Sequence, residues 1–262
     1  MDLVEASARA FRPRHRHPWE RARLGVVCSL IDRHAPLEPG AVVIDVGCGD
    51  TFVVEQLARR YPGVQFHAVD TGFTDEVIQH LRGRLIGARV ALHGSLDEVP
   101  PLPVGSVAVV LMMDVLEHVS DDRALLMDVA SRRFVAGGTR FVITVPAYEW
   151  LFSSHDRLLG HYRRYSTPHL TRQIEAAGLL VIDDGRFFAS LVPLRALQVL
   201  RERFFSATPA PATGLTTWRG GEIAARALAA VLAADARVSM VLGRLGIALP
   251  GLSKFAVCRK SA

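Results

Sequence analysis

Two carboxylates and two glycines near the start of the chain are spaced as a ligand cradle. Ala41-Val42-Val43-Ile44 runs into Asp45, then Val46-Gly47-Cys48-Gly49-Asp50-Thr51, and a helical pattern follows. An apolar strand that ends in a glycine turn and opens a helix lays backbone N–H groups against a nucleotide-like ligand. A dinucleotide wants a third glycine, G-x-G-x-x-G, to seat its pyrophosphate on the helix N-terminus. Here Gly49 is followed by Asp50-Thr51-Phe52, so that glycine is missing. An acid at the strand–turn junction repels a pyrophosphate and suits an ammonium or a sulfonium. Asp70 closes the next alternating run, Val64 to Val69, about 20 residues beyond the glycine turn, where such folds hold ribose hydroxyls. A carboxylate there accepts from both hydroxyls and disfavours a 2′-phosphate.

A second group lies downstream. His155, Asp156, Arg157, His161, Tyr162, Arg163, Arg164 and Tyr165 fall within eleven residues, too many ionisable groups for a connector. A histidine has a suitable pKa to take a proton, and an adjacent carboxylate can orient the imidazole. Arginine forks suit a carboxylate or phosphate. His155, Asp156 and His161 are therefore candidate catalytic groups, with His118 as a further base; Tyr162, Arg163, Arg164 and Tyr165 are candidate substrate contacts. The spacing of His155, Asp156 and His161 matches no strong ligand motif, so no metal is expected.

These groups need a scaffold. Val107–Met113 is an unbroken apolar run, as in a central strand covered on both faces. Ser120-Asp121-Asp122 reads as a helix cap before residues 123–134. Residues 89–93 and 141–146 read as strands, 167–177 as a helix with Pro168 in its first turn and Gly178 as its stop, and 179–187 and 252–259 as further strands. Strand–helix alternation over 41–146 predicts an α/β fold with a Rossmann-like, mostly parallel seven-stranded sheet. The second group then lies past the fifth strand, at the carboxyl edge where open α/β sheets bind ligands.

The segment D-V-G-C-G resembles motif I of the class I S-adenosylmethionine (SAM)-dependent methyltransferases. The string D-V-L-E-H-V, residues 114–119, resembles the signature after strand four in small-molecule methyltransferases of the ubiquinone-biosynthesis type. The resemblance implies SAM as cofactor, with S-adenosylhomocysteine as product. It implies cofactor contacts from Asp45, Gly47, Cys48, Gly49, Asp70, Thr71, Met113 and Asp114, and from the adenine-side loop at Ser95 and Leu96, where many relatives carry Asp in place of Ser95. It also implies an antiparallel last strand beside strand five. His17-Pro18-Trp19-Glu20-Arg21-Ala22-Arg23 resembles a stretch that precedes motif I in bacterial relatives and packs over the cofactor cleft, which makes Trp19 a candidate contact to the acceptor substrate. S-H-D-x-x-x-G-H-Y-R-R-Y, from Ser154, resembles a signature assigned to glycan, lipid or secondary-metabolite pathways. Methyl transfer to a small-molecule or lipid-linked acceptor follows, at oxygen ahead of nitrogen. The alternatives are carbon methylation of a quinone- or polyketide-like ring and a non-catalytic SAM-binding scaffold.

Composition narrows the partners. Only Lys254 and Lys260 are lysines among 31 basic residues, and the net charge is +5. The one basic cluster, residues 12–17, is too short for nucleic-acid binding. Three cysteines without paired spacing imply no disulfide framework. Glu5 and the Arg/His cluster leave no apolar signal segment, so a cytoplasmic protein is expected. Residues 1–35 read as a helical lead-in, 36–187 with 252–262 as the SAM-binding core, and 188–251 as a helical insertion. The insertion divides into helices over 189–205 and 221–245 around a Pro/Ala/Thr loop at 206–217. Its charges exclude a membrane span. Its apolar residues, including Leu191, Leu194, Leu197, Val231, Leu232, Val238 and Leu242, are expected to bury over the acceptor pocket as a lid, with a peripheral membrane anchor as the competing account.

Overall fold

The computed structural model describes residues 16–85, 87–204 and 220–261. Seven strands form one sheet: β1 Val42–Val46, β2 Gln65–Val69, β3 Val90–His93, β4 Val107–Met113, β5 Arg140–Pro146, β6 Leu179–Phe187 and β7 Ser253–Lys260. Their order is β3-β2-β1-β4-β5-β7-β6. The pairs β1–β2, β1–β4, β2–β3 and β4–β5 are parallel; β7 runs antiparallel to both β5 and β6. The strand order reverses between β1 and β4, and ligands bind outside such switch points. This is the expected Rossmann-like sheet with its antiparallel last strand between strands five and six.

Helices cover both faces. They are α1 Pro18–His34, α2 Phe52–Arg60, α3 Asp75–Arg84, α4 Asp122–Ser131, α5 Ser154–Leu158, α6 Thr167–Ala176, α7 Leu191–Phe204 and α8 Gly221–Arg244. In α1, Ala22, Val26, Val27, Leu30 and Ile31 recur at helical spacing and are buried against Val43, Val109 and Leu111 of the sheet. α4 and α6 cover the opposite face through Leu126, Val129, Leu170 and Ile174. The cap of α4 is Asp121, whose side chain accepts from Ala124 N, and the helix ends at Ser131 rather than Phe134, because the backbone becomes extended at Arg132.

The insertion departs from expectation in one respect. α8 lies beside α1 and against β6, and contributes Leu232, Ala236 and Met240 to the same core as α1. It therefore completes a helical layer on the sheet. Val231 and Val238 face solvent, as do Leu194 and Leu197 of α7. The expectation that these residues bury is corrected: each helix has one face to bury, and in α7 that face is built on Arg195 and Val199. The loop expected at 206–217 lies outside the described residues. No helix among the described residues is long and apolar enough to cross a membrane.

Candidate functional site

The carboxyl ends of β1, β2, β4 and β5 converge on one edge, and each hands over a different chemistry. After β1 the chain turns through Gly47 and Gly49, at φ of 69° and 58°. A Cβ on Gly47 would stand 2.6 Å from Cγ2 of Val115, so only glycine lets this turn pass the loop after β4. Gly49 N donates to Oδ2 of Asp70 at 2.8 Å, and Gly72 N donates to its Oδ1 at 2.9 Å. Asp70 thus clamps the glycine turn to the tip of β2, with Thr71 next to it.

Asp45 is the unusual member of this set. It is 1% exposed, and among the described residues neither of its carboxyl oxygens has a hydrogen-bond partner. Burial pushes its pKa up to about 8; Arg23 opposes the rise and Asp70 adds to it. A buried carboxyl with both oxygens unmet needs a cationic or donor-bearing ligand. The ammonium of an amino-acid-like ligand, with a sulfonium near it, supplies both. The glycine turn, the orphaned Asp45 and the clamped Asp70 together fit SAM. Glu20, Arg23, Gly47, Cys48, Asp50, Phe52 and Met113 line one cavity here.

α1 roofs that cavity. Arg23 pairs with Asp114, and Arg16 pairs with Asp50. The Arg23 guanidinium stacks on the Trp19 ring at 4.3 Å, and Trp19 also meets Phe188. Trp19, expected at the acceptor, therefore sits on the donor side. Asp114 has φ of 54°, rare for a residue with a Cβ; Thr144 Oγ1 donates to its Oδ1 at 3.0 Å and helps hold it. Ser95 and Leu96 lie at the end of β3, where Gly94 N and Ser95 Oγ both donate to Glu98, at 2.8 and 3.4 Å. That loop is closed on itself by Glu98.

The acceptor edge is organised by Asp156, which is 0% exposed. Arg195 Nη2 donates to its Oδ2 at 2.6 Å, Arg164 Nε to its Oδ1 at 2.8 Å, and His161 Nδ1 meets the same oxygen at 3.1 Å. It also closes the capping box of α5 by accepting from Ser153 N at 2.9 Å. Asp156 consequently positions others and cannot reach an acceptor. The assignment of Arg164 and Tyr165 to the substrate is likewise corrected. Arg164 is buried and bound to Asp156 and Ala147 O. Tyr165 is buried with its hydroxyl donating to Asp122 at 2.7 Å. Arg163 pairs with Asp122 at 3.0 Å and donates to Ser120 O at 2.6 Å, while Tyr162 is exposed. Burial and Arg195 lower the pKa of His155 to about 4, so its imidazole is neutral at pH 7.

Two histidines do meet. His118, from the turn Leu116–His118 after β4, stacks edge to face with His161, ring centroids 4.6 Å apart. With Asp156 ionised, His161 Nδ1 donates to it, and in the neutral ring this tautomer has its lone pair on Nε2. Sequence spacing missed Arg23, Asp50, Glu117 and Arg195. Glu117 stood in the D-V-L-E-H-V string; Arg195 carried no local signal.

A family model described as a methyltransferase domain matches residues 19–202. A protein named as a probable S-adenosylmethionine-dependent methyltransferase from Mycolicibacterium smegmatis is 28% identical over 149 residues, covering 55% of this chain and 54% of that one. The ubiquinone biosynthesis O-methyltransferase of Xanthomonas axonopodis pv. citri is 30% identical over 162 residues, 57% of this chain and 67% of that one. The chain spans about half the length of the first curated relatives it matches. A solved geranyl diphosphate methyltransferase in complex with SAM shares the fold, with a TM-score of 0.55 at 16% identity, covering 93% of this chain and 86% of that one.

Proposed function

The chain belongs to the class I SAM-dependent methyltransferases, and we propose that it methylates a hydroxyl of a small-molecule or lipid-linked acceptor. The observation that carries the choice of oxygen is the His118–His161 pair beside the donor cleft, with Asp156 behind it. When bound, SAM supplies an already activated methyl group on a sulfonium. This chain's residues then have three tasks. Asp45, Asp70 and the glycine turn hold the donor. The α1 roof and its arginines shield the cleft from water. The His161 imidazole aligned by Asp156, with His118 edge-on to it, receives the acceptor's proton, a step that carbon methylation of an apolar ring would not require at this position. The relatives named O-methyltransferases agree with oxygen.

Asp70→Ala tests the donor half. It removes the acceptor of two backbone N–H groups as well as the ribose contact. SAM affinity is expected to fall by about 1.5–3 kcal/mol, the scale of hydrogen bonds to a charged group. Calorimetry that shows unchanged SAM affinity in this variant, or binding of NAD by the native chain, overturns the reading.

α7 favours a lipid-linked acceptor. Its inward face sets polar contacts beside buried Val199: Arg195 binds Asp156, and Glu202 accepts from Ser154 N at 3.0 Å and Oγ at 2.8 Å. Its outward face carries Leu194, Leu197, Leu200 and Phe204, with Leu194 65% and Phe204 76% exposed. Arg201 and Arg203 lie in its last turn, and Arg203 Nη2 donates to Trp150 O at 3.2 Å. An apolar stripe edged by arginines suits an anionic lipid surface. In this reading α7 walls the acceptor pocket and rests on the membrane that carries the acceptor, with the protein otherwise cytoplasmic. The chain is expected to float with vesicles of phosphatidylglycerol and phosphatidylcholine, and Leu197→Glu combined with Phe204→Ser to stay at the bottom of the gradient. Equal flotation of both proteins, or none of either, removes the lipid-surface reading.

A further inference from the structure

The acceptor edge holds one donor group that proton transfer does not use. Glu117 precedes His118 in the turn after β4 and is 1% exposed. Among the described residues its Oε2 has no hydrogen-bond partner. A carboxyl left unmet in that position is costly. Beside it the rings of His118 and His161 stand at 89° to each other. One ligand atom each from Glu117, His118 and His161 lies within 4.8 Å of the others. The two loops that supply them are tied together: Tyr162 N donates to Glu117 O at 2.7 Å.

We propose that Glu117, His118 and His161 bind a single divalent transition-metal ion of the zinc class. Two imidazoles and one carboxylate form a donor set for borderline metals, whereas calcium and magnesium ask for a shell of oxygens. Asp156 completes the arrangement as the group behind the ligand. It accepts from His161 Nδ1, which sets the tautomer and turns the Nε2 lone pair toward the cluster, and Arg164 and Arg195 hold Asp156 in place. A carboxylate backing a metal-bound histidine raises its basicity and fixes its ring. Bonds of about 2.0–2.2 Å put tetrahedral ligand atoms roughly 3.3–3.5 Å apart. The three side chains therefore close in by about an ångström through their own rotations. His118 and His161 are only partly buried, so an ion has a path from solvent.

Three protein ligands leave an open coordination position. On the proposed methyl transfer to oxygen, which this part of the inference rests on, an acceptor hydroxyl takes that position and is polarised there. In the metal-loaded chain the two histidines are ligands and not bases: the ion eases loss of the hydroxyl proton to solvent water, and the oxygen takes the methyl group as its bond to the SAM sulfur breaks.

Binding is measured apart from turnover. The full chain, stripped with chelator, is titrated with Co²⁺, whose visible absorption reports nitrogen and oxygen ligation, and with Zn²⁺ by calorimetry. One equivalent is expected to bind. Glu117→Gln and His161→Ala are each expected to weaken it by at least about tenfold, the scale of losing even an outer partner of a metal ligand. Gln has the shape of Glu and adds no charge to the buried site, so the metal-free Glu117→Gln variant should keep SAM binding and a melting temperature close to that of the native chain. Absence of stoichiometric Co²⁺ absorption overturns the site. So does binding that survives both substitutions, which would place the ion on other histidines such as His15 or His17. Failure of SAM binding in the native chain would instead count against the methyltransferase reading and leave the metal titration intact.

Discussion

Asp156→Asn is expected to destabilise the protein by about 3–5 kcal/mol, the cost of removing one partner from a buried ion network. The carboxylate neutralises two guanidinium groups, Arg164 and Arg195, which are each about 5% exposed and would otherwise face one another unpaired. Burial by itself would raise the Asp156 pKa. The hydrogen bond from His161 and the charges of Arg164 and Arg195 outweigh it and hold the carboxyl well below the usual carboxylate range. The sign of the pH dependence follows. A depressed folded-state pKa adds stability that is fully present above the unfolded value of about 3.9 and is lost progressively as pH falls from there through the lower folded-state value. Urea unfolding of the native chain should therefore weaken on acidification below about pH 4, and the Asn variant should lack that part of the slope. Replacing Arg195 by Leu in the Asn background should recover part of the loss, because removing both ions leaves less charge unpaired. A variant within about 1 kcal/mol of the native chain at pH 7 would show that water serves these arginines as well as Asp156 does.

The same residue shows where sequence reading succeeds and where it stops. Strand β6 has the bounds its sequence predicts, and Asp70 does meet the glycine turn through Gly49 N, because each is written in a short segment whose period or turn chemistry is local. The polar cluster at 155–165 was also visible, but not the division of labour within it. That division depends on partners far away in the chain: Arg195 for Asp156, Asp122 for Tyr165, Asp114 for Arg23. Such pairs leave no spacing signal. Helix α7 misled for a related reason. Its leucines imply a buried stripe when the helix is read alone, yet Arg195 and Glu202 find charged and polar partners inside the fold, and those contacts turn the leucines outward.

Asp45→Asn is expected to separate binding from stability. In the native chain the Asp45 pKa of about 8 stands far above its unfolded value of about 3.9. A raised folded-state pKa means that the folded chain keeps a proton the unfolded chain has released, so stability falls as pH rises from about 4 to about 8. The amide carries no charge to bury, and its own unmet hydrogen bonds cost about 1–3 kcal/mol at any pH. The Asn variant should therefore lose stability less steeply over that window and overtake the native chain near its upper end. SAM binding should move the other way. A cationic donor group against Asp45 favours the ionised carboxylate, so binding below about pH 8 releases a proton from this residue. Affinity of the native chain should rise with pH over the same window. Calorimetry in buffers of different ionisation enthalpy should count close to one proton released per SAM near pH 6. The Asn variant should release none and bind about tenfold to a hundredfold more weakly, the equivalent of about 1.5–3 kcal/mol. Proton release that is equal in the two proteins would mean that Asp45 already carries its charge before the donor arrives. Its orphaned oxygens would then be met by water, and the donor's ammonium would have to be recognised elsewhere in the cleft.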